Sequence, residues 1–181
     1  MADNTIAFQG EAGANSHIAC LEAFPDMKVL PCATFEDVFA AISEGRARIA
    51  MIPIENSVAG RVADIHHLIP GSSLYIVGEH FLRVRHQLLG LKGAKLADLK
   101  TVESHVMALG QCRQVIRELG LASVVAADTA GSARIISQAG DPTRGAIASS
   151  LAAEIYNLDV LKADVEDAEH NTTRFIIMAN E

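Results

Sequence analysis

The stretch Asn171-Thr172-Thr173-Arg174-Phe175-Ile176-Ile177-Met178 places a polar cluster directly before an apolar run that is typical of a strand. We expect this strand to return to the first of two lobes, so the stretch decides the fold. Arg174 offers a planar fork of donors that matches a carboxylate. The side chains of Asn171, Thr172 and Thr173 supply short, orientable hydrogen bonds. The cluster therefore predicts a site for a small organic anion, and the alternative is a polar turn with Arg174 in solvent.

A second strand that leads into polar residues occupies residues 49–54, directly before the polar stretch at residues 55–62. Pro53 lacks an amide donor, which predicts that the strand ends, or lies at a sheet edge, at this point. Gly60 permits a backbone conformation that other residues resist, or the close approach of a ligand. Ser57 is equally well explained as a ligand contact and as the cap of a following helix.

Strands and helices alternate along the first part of the chain. Apolar side chains at helical spacing predict a helix at residues 35–43, with Thr34 as its N-cap. Further predicted elements are strands at residues 5–9, 28–30 and 48–52 and helices at residues 15–23 and 63–69, the last ended by Pro70-Gly71. This order of elements predicts a parallel sheet.

The second part of the chain repeats the alternation after a long extended stretch. Residues 74–91 have no helical period, and we predict that they form strand that crosses between two lobes. Predicted strands follow at residues 101–103, 123–126, 145–148 and 160–163, and predicted helices at residues 105–119, 128–138 and 149–156. The chain then returns through residues 173–178 to the first lobe.

Several motifs, in register over nearly the whole chain, resemble those of the prephenate dehydratase family. They are the glycine-containing first turn at residues 8–17, Pro53-Ile54-Glu55-Asn56-Ser57 with Gly60 and Val62, Glu103-Ser104-His105, Asp128-Thr129-Ala130, and Asn171 with Thr173-Arg174-Phe175. One departure is Asn15, where the family usually has an aromatic residue, Thr or Ser. Several motifs in register form a specific signal, although any one of them can arise by chance.

The resemblance implies an α/β fold of two small α/β lobes joined by crossing strands, like the type II periplasmic binding proteins, with the active site in the interlobe cleft. We expect lobe 1 at about residues 1–78 plus 173–181 and lobe 2 at about residues 79–172. This layout predicts helix starts at Asn15, near Ser57, at Ser104 and at Asp128, where exposed amides favour anions.

The activity implied by the resemblance is that of a carbon–oxygen lyase of phenylalanine biosynthesis. Such an enzyme converts prephenate to phenylpyruvate, carbon dioxide and water, and it requires no metal or organic cofactor. It orients the substrate, helps hydroxide to leave with a proton and lets the ring carboxylate escape. Arogenate dehydratase is the near alternative, and a non-catalytic two-lobed module that binds small anions is an alternative from a different class.

The resemblance also implies roles for residues. The catalytic residues are Thr173, Ser57 and Glu55, with the Thr173 hydroxyl hydrogen-bonded to the departing hydroxyl. The residues expected to bind substrate are Asn56, Ser104, His105, Thr129, Asn171, Thr172, Arg174 and Phe175.

Structural alternatives stay open for these side chains. Glu55 can pair with Arg61 or cap a helix, and Arg174 can pair with Glu55 or Asp167. Capping is the default role of Ser104 and Thr129, with substrate binding as an added one, His105 can simply begin its helix, and core packing explains Phe175.

Composition agrees with a cytoplasmic enzyme domain. The chain has 181 residues, 50% of them hydrophobic, and can bury a sizeable core. Its net charge of −7, with scattered Lys and Arg, argues against nucleic acid or an anionic membrane as a partner. Cys20, Cys32 and Cys112 have apolar neighbours and predict reduced core thiols. The first residues contain no signal-peptide pattern. We expect prephenate as the small-molecule partner and a homodimer or larger homo-oligomer.

The spacing of residues in this sequence does not match the motifs of several other classes of enzyme or binding protein. A dinucleotide-binding glycine motif does not follow the first strand, and no phosphate-binding loop, zinc motif or nucleophile elbow occurs. The adjacent His66 and His67 point in different directions from a helix. Family members usually continue past the motif at residues 173–175 into an ACT domain that binds phenylalanine. We therefore expect an isolated catalytic domain without feedback inhibition by phenylalanine.

Overall fold

The computed structural model describes residues 4–180 of the chain. They form two compact units, one from residues 4–11, 15–84 and 170–180 and the other from residues 12–14 and 85–169. The chain therefore passes between the units four times. The lobe limits expected near residues 78 and 172 fall on strands, whereas the units part at residues 84/85 and 169/170.

Strands and helices alternate along most of the described chain. The strands are β1 (Thr5–Gln9), β2 (Lys28–Cys32), β3 (Ile49–Asn56), β4 (Gly60–Arg61), β5 (Tyr75–Arg83), β6 (Gln87–Leu91), β7 (Thr101–His105), β8 (Ala122–Ala126), β9 (Arg144–Ala148), β10 (Leu158–Lys162) and β11 (Thr172–Ala179). The helices are α1 (Asn15–Ala23), α2 (Phe35–Ser43), α3 (Leu68–Gly71), α4 (Val106–Gly110), α5 (Arg113–Glu118), α6 (Thr129–Ala139) and α7 (Ser150–Ile155).

The first unit is built on a mixed sheet with the strand order β2-β1-β3-β11-β5, and β4 pairs with β3. Strand β1 is parallel to β2 and β3, whereas β11 is antiparallel to both β3 and β5. The parallel arrangement predicted from the alternation of strands and helices is therefore confirmed for β1, β2 and β3, and the antiparallel part of the sheet comes from β11. The returning strand begins beside the carboxyl end of β3, with Thr173 opposite Asn56, so it must run in the reverse direction.

Helix α2 shows why the local sequence predicts its own boundaries. The Thr34 hydroxyl accepts a hydrogen bond from Asp37 N at 3.1 Å, and the Asp37 carboxylate accepts one from Thr34 N at 3.2 Å. This reciprocal capping satisfies two backbone donors at the start of the helix. Val38, Ala41 and Ile42 are buried in the core of the unit. The predicted helix and its N-cap are confirmed.

Strand β3 continues past its predicted end, through Pro53 to Asn56. Proline is tolerated there because β1 pairs with β3 only as far as Met51, and because the pairing with β11 shifts register between Arg174 and Phe175. The polar loop predicted from residue 55 onward is thus partly strand. This extension carries Asn56 to a position directly beside the start of β11.

The second unit is built on a sheet with the strand order β10-β6-β9-β7-β8. Strand β7 is parallel to β8 and β9, and β6 is antiparallel to β9 and β10. Helix α6 begins at the N-cap Asp128 and ends at Gly140, which has a φ of +67°. Both ends agree with the prediction, because an acidic cap and a left-handed glycine are local signals.

Two predicted helices are wrong in their extent. The helix expected over residues 105–119 is broken into α4 and α5 at Cys112, which has φ −127° and ψ 32°. The break is stabilised by Asp167, whose carboxylate accepts hydrogen bonds from Arg113 N at 2.9 Å and Gln114 N at 3.1 Å. The helix expected over residues 63–69 is a 3₁₀ turn at Ala63–Ile65 followed by the short α3.

The long extended stretch that was expected to connect two lobes consists of β5 in the first unit and β6 in the second. A mixed α/β architecture with two sheets is therefore confirmed. All three cysteines are buried and unpaired, and burial raises the pKa of the Cys20 thiol to about 12. Within residues 4–180, no helix has the length and apolar character to span a bilayer.

Candidate active site

A hydrogen-bonded cluster of Asn56, Asn171 and Thr173 lies where β3 ends and β11 begins. Asn56 Nδ2 donates to Asn171 Oδ1 at 2.8 Å and to Thr173 Oγ1 at 2.9 Å. The three side chains come from positions 56, 171 and 173, and they meet because β11 pairs antiparallel with β3. Asn171 is buried, whereas Asn56 and Thr173 are half-buried. The structure thus brings together three residues that the sequence predicted for the site.

The orientation of the Asn56 amide is fixed by its backbone neighbours. Its Oδ1 accepts hydrogen bonds from Val58 N at 3.0 Å and from Ala59 N at 2.8 Å. Because a backbone N–H can only donate, the amide oxygen must face these two groups and Nδ2 must face Thr173. The Thr173 oxygen therefore accepts from Asn56, and its own hydrogen points elsewhere.

The hydrogen of the Thr173 hydroxyl has no acceptor in the part of the chain that the structure describes, residues 4–180. A half-buried hydroxyl whose oxygen already accepts one bond is therefore a donor available to a ligand. This is the chemistry that a departing hydroxyl group requires, since it gains negative charge as its bond to carbon breaks.

Ser57 ties the turn after β3 to the segment that enters β11. Its backbone N–H donates to Thr172 O at 2.9 Å, its hydroxyl donates to His170 O at 2.7 Å, and the same hydroxyl oxygen accepts from Thr172 N at 2.9 Å. Val84 N adds a bond to Asn171 O at 2.7 Å. The predicted helix near Ser57 is wrong, because the chain turns at this point into the short strand β4.

Arg174 is not part of the cluster around Thr173. Successive strand residues project to opposite faces of a sheet, so Arg174 and Thr173 diverge. The Arg174 guanidinium lies 2.8 Å and 2.9 Å from Glu79 Oε2, through Nη2 and Nε, and 3.2 Å from Glu55 Oε1. Its carbon Cζ is 5.9 Å from the centre of the Phe81 ring. Hydrogen bonds to Glu79, and then to Glu55, raise the pKa of Arg174.

Two further predicted residues of the first unit have places that match their structural alternatives. Glu55 forms the ion pair with Arg174 that the sequence allowed, and it lies opposite Arg61 in the strand pairing. Phe175 is 1% exposed and belongs to the buried interior. Thr172 contributes its backbone N–H and C=O to the contact with Ser57. Glu79 was missed, because it lies within the long stretch that showed no period.

Of the predicted residues of the second unit, His105 and Thr129 lie at helix starts and Ser104 lies in a strand. Ser104 does not start a helix as predicted: it lies within β7, is fully buried, and donates its hydroxyl hydrogen to Ile147 O at 2.6 Å. His105 is the N-cap of α4, and its Nδ1 accepts from Met107 N at 3.1 Å. Thr129 is the first residue of α6, after the cap Asp128.

A second polar cluster of the second unit surrounds His86, which is 3% exposed. The ring Nε2 of His86 lies 2.8 Å from Gln111 Oε1, and its backbone N–H donates to Glu166 Oε2 at 2.9 Å. Burial lowers the pKa of His86, against smaller opposing effects of Gln111 and Glu166. The cluster fastens the segment that leads back to the first unit. Among the described residues, no three His, Cys, Asp or Glu side chains are grouped for a metal ion.

Comparison with known proteins identifies the class and then the family. The described residues define the class of a mixed α/β protein that carries a hydroxyl and amide cluster at a strand end. The sequence profile of the prephenate dehydratase family matches residues 6–181, and the chain belongs to this family.

Related proteins agree with this assignment. A bifunctional N-acyl-homoserine lactone acylase/prephenate dehydratase of Komagataeibacter europaeus is 51% identical over 97% of this chain and 62% of its own length. Arogenate dehydratase/prephenate dehydratase 1 of Arabidopsis thaliana is 44% identical over 97% of this chain and 45% of its own length. The chain thus spans about half to three fifths of these curated relatives.

A solved structure extends the similarity to three dimensions. Prephenate dehydratase from Arthrobacter aurescens, in complex with L-Phe, superimposes with a TM-score of 0.90 at 30% identity. The match covers 98% of this chain and 60% of the other.

Proposed function

We propose that the chain catalyses the decarboxylating dehydration of prephenate to phenylpyruvate, with Thr173 as hydrogen-bond donor to the departing hydroxyl. One observation carries this proposal. Asn56 Nδ2 donates to Thr173 Oγ1 at 2.9 Å, so the hydroxyl hydrogen is directed away from Asn56 and can be donated to another group. Membership of the family supports the class of reaction.

The proposed reaction divides the work between the substrate and the site. The ring carboxylate leaves as carbon dioxide, its bonding electrons enter the ring, and the ring hydroxyl leaves with one proton as water. A threonine hydroxyl is a weak acid, so Thr173 serves as a donor or relay and not as the ultimate source of the proton. Its hydrogen bond strengthens as charge develops on the leaving oxygen, which lowers the barrier more than it tightens substrate binding.

The other predicted site residues are supported either by a contact in the structure or by the family resemblance alone. Asn171 is proposed to hold the cluster around Thr173, since its amide oxygen accepts from Asn56. Glu55, Thr172, Arg174 and Phe175 in the first unit, and Ser104, His105 and Thr129 in the second, remain predictions from the resemblance. A cytoplasmic location and a homo-oligomeric state likewise remain predictions.

Replacement of Thr173 by valine tests the proposal. Valine keeps the branched shape and nearly the same volume, so β11 still forms while the donor is lost. We expect Thr173→Val to lower kcat by about 10²-fold or more with little change in KM. Phenylpyruvate released from prephenate is the quantity to measure, and Thr173→Ser should recover much of the rate.

Matched variants separate the hydroxyl from packing. Thr101→Val makes the same change on β7 of the second unit and should leave the rate unchanged. Thr172→Val should be milder than Thr173→Val, because the two side chains project to opposite faces of β11. Equal losses in Thr173→Val and Thr173→Ser, or full activity of Thr173→Val, would mean that packing matters and the hydroxyl does not.

Arogenate is the second substrate to consider, because a relative that is 44% identical carries both arogenate and prephenate dehydratase in its name. Arogenate differs from prephenate by an amino group in place of the keto oxygen of the side chain. The ratio of kcat/KM for the two substrates, measured with the same preparation, decides which one the site prefers. Binding of prephenate without release of phenylpyruvate would instead favour the non-catalytic anion-binding module.

A further inference from the structure

We propose that Asn56 and Ser57 form a positioning clamp that fixes the Thr173 hydroxyl as a donor, and that neither side chain contacts the substrate. The sequence had placed Asn56 among substrate-binding residues and Ser57 among catalytic ones. The inference rests on the dehydratase function proposed above and assigns both residues a different task.

Asn56 has no hydrogen-bonding capacity left for a ligand. A primary amide offers two N–H donors and an oxygen with two lone pairs. Both donors are used, by Asn171 Oδ1 at 2.8 Å and Thr173 Oγ1 at 2.9 Å. Both lone pairs are used, by Val58 N at 3.0 Å and Ala59 N at 2.8 Å. A ligand that bonded to Asn56 would have to displace one of these four partners.

Ser57 sets the position of β11 relative to the turn. Its hydroxyl donates its one hydrogen to His170 O at 2.7 Å and accepts from Thr172 N at 2.9 Å. A hydroxyl that gives its hydrogen to a backbone carbonyl is not available as a nucleophile or an acid. Its two bonds instead bracket Asn171, so they hold the backbone that presents Thr173.

The clamp requires that Asn56 donates, and Thr173 accepts, the hydrogen bond between their side chains. Asn56→Asp preserves shape but replaces an N–H donor with an oxygen at the position that faces Thr173. The Thr173 hydroxyl must then give its hydrogen to the new carboxylate, and it can no longer donate to a departing hydroxyl. We expect kcat to fall about 10²-fold, with KM changed little, because the lost interaction belongs to the transition state.

A double-mutant cycle tests whether Asn56 acts through Thr173. The rates of the full chain, Asn56→Asp, Thr173→Val and the double variant are compared with prephenate as substrate. If Asn56 only orients the Thr173 hydroxyl, the double variant should be no slower than Thr173→Val alone by more than about twofold. Losses that multiply, or an increase in KM with kcat unchanged, would place Asn56 on the substrate and overturn the clamp.

Ser57 provides a second variant in case Asn56→Asp does not fold. Ser57→Ala removes both hydroxyl bonds and should lower kcat more than it raises KM, while Ser57→Thr restores a hydroxyl and should recover most of the rate. Failure of Ser57→Thr to recover activity, with the fold intact by circular dichroism, would contradict the positioning role.

Two further comparisons distinguish a failure of the clamp hypothesis from a failure of the dehydratase function on which it rests. Asn157→Asp adds the same charge at an exposed turn of the second unit, where φ is +54°, and should leave the rate unchanged. Absence of phenylpyruvate release by the unmodified chain would overturn both the function and the clamp. Release by the unmodified chain with independent, multiplying losses would overturn the clamp alone.

Discussion

At the scale of single residues, Thr173 and Arg174 are neighbours with different surroundings. The Thr173 hydroxyl accepts a hydrogen bond within the amide cluster and can still donate its own hydrogen. The Arg174 guanidinium is instead held by Glu79 and Glu55 and lies over the Phe81 ring. Two carboxylates against one cation leave a local excess of negative charge. The two carboxylates take three of the five N–H donors of Arg174, so a substrate carboxylate would have to share the guanidinium with them.

This geometry predicts a mild effect of mutating Arg174. Because two carboxylates already neutralise the guanidinium, we expect Arg174→Gln to change kcat/KM by less than about fivefold, far less than Thr173→Val. Steady-state kinetics of the two variants side by side provide the measurement. A large rise in KM for Arg174→Gln, matched by a fall in KM for Glu79→Gln, would restore the substrate-binding role expected from the sequence.

The sequence predicted the right residues at this scale but not their grouping. Asn56, Asn171 and Thr173 were each singled out, and the structure joins them by side-chain bonds across 115 and 117 residues of chain. The partner of Arg174 in β5, Glu79, was missed. Which strand lies beside β11 depends on long-range pairing, and a polar residue in an exposed edge strand carries no local signal of its partner.

At the scale of structural elements, the loop between β1 and α1 contains a tightly packed glycine. Gly13 has a φ of +94°, and a Cβ added to it would lie 2.8 Å from Ala152 Cα and 2.9 Å from Ala152 Cβ. The neighbouring residues are held by Ser149, which donates to Gly13 O, and by Tyr156, whose hydroxyl donates to Ala12 O at 2.9 Å. Residues 12–14 thus belong to the second unit through specific contacts.

We predict that Gly13→Ala destabilises the second unit by about 2 to 4 kcal/mol, since it adds both backbone strain and a clash with the α7 backbone. Urea unfolding followed by circular dichroism measures the change. Gly45→Ala is the matched control, because Gly45 has a φ of +72° but no atom within 4 Å of the added Cβ. Gly45→Ala should lower the free energy of unfolding by about 1 to 2 kcal/mol, from backbone strain alone. Equal costs for the two variants would show that the contact with Ala152 is unimportant.

Element boundaries were predictable where both partners of a cap are close in sequence. The ends of α2 and α6 follow from Thr34, Asp128 and Gly140, each within a few residues of the group that it satisfies. The break between α4 and α5 was not predictable, because the capping carboxylate of Asp167 comes from 54 residues further along the chain. Helical periodicity alone therefore merged two helices into one.

At the scale of the whole molecule, the buried imidazole of His86 couples stability to pH. Burial lowers its pKa from 6.5 in the folded state, so below pH 6.5 the unfolded chain binds more protons than the folded chain. The contribution of His86 to the free energy of unfolding is complete above pH 6.5, and it falls as the pH drops toward the pKa of His86 in the folded state. Burial lowers the pKa of His17 in the first unit as well, with the same sign.

We therefore expect the melting temperature to fall as the pH drops below about 6.5, and His86→Gln to make this dependence shallower. Each unit of depressed pKa corresponds to about 1.4 kcal/mol at low pH. Calorimetry at several pH values measures the slope, and His67→Gln, on an exposed histidine, should leave it unchanged. An unchanged slope in His86→Gln would show that other groups carry the acid sensitivity.

The position of β11 between β3 and β5 has a consequence for synthesis on the ribosome. Residues 85–169 emerge as one continuous run and contain nearly all of the second unit. The first unit must wait, because its sheet lacks an inner strand until residues 172–179 have been made. Until then β3 and β5 each present an unpaired edge to other nascent chains, and such edges invite aggregation. A polypeptide released before residue 171 would keep both edges open and would lack Thr173.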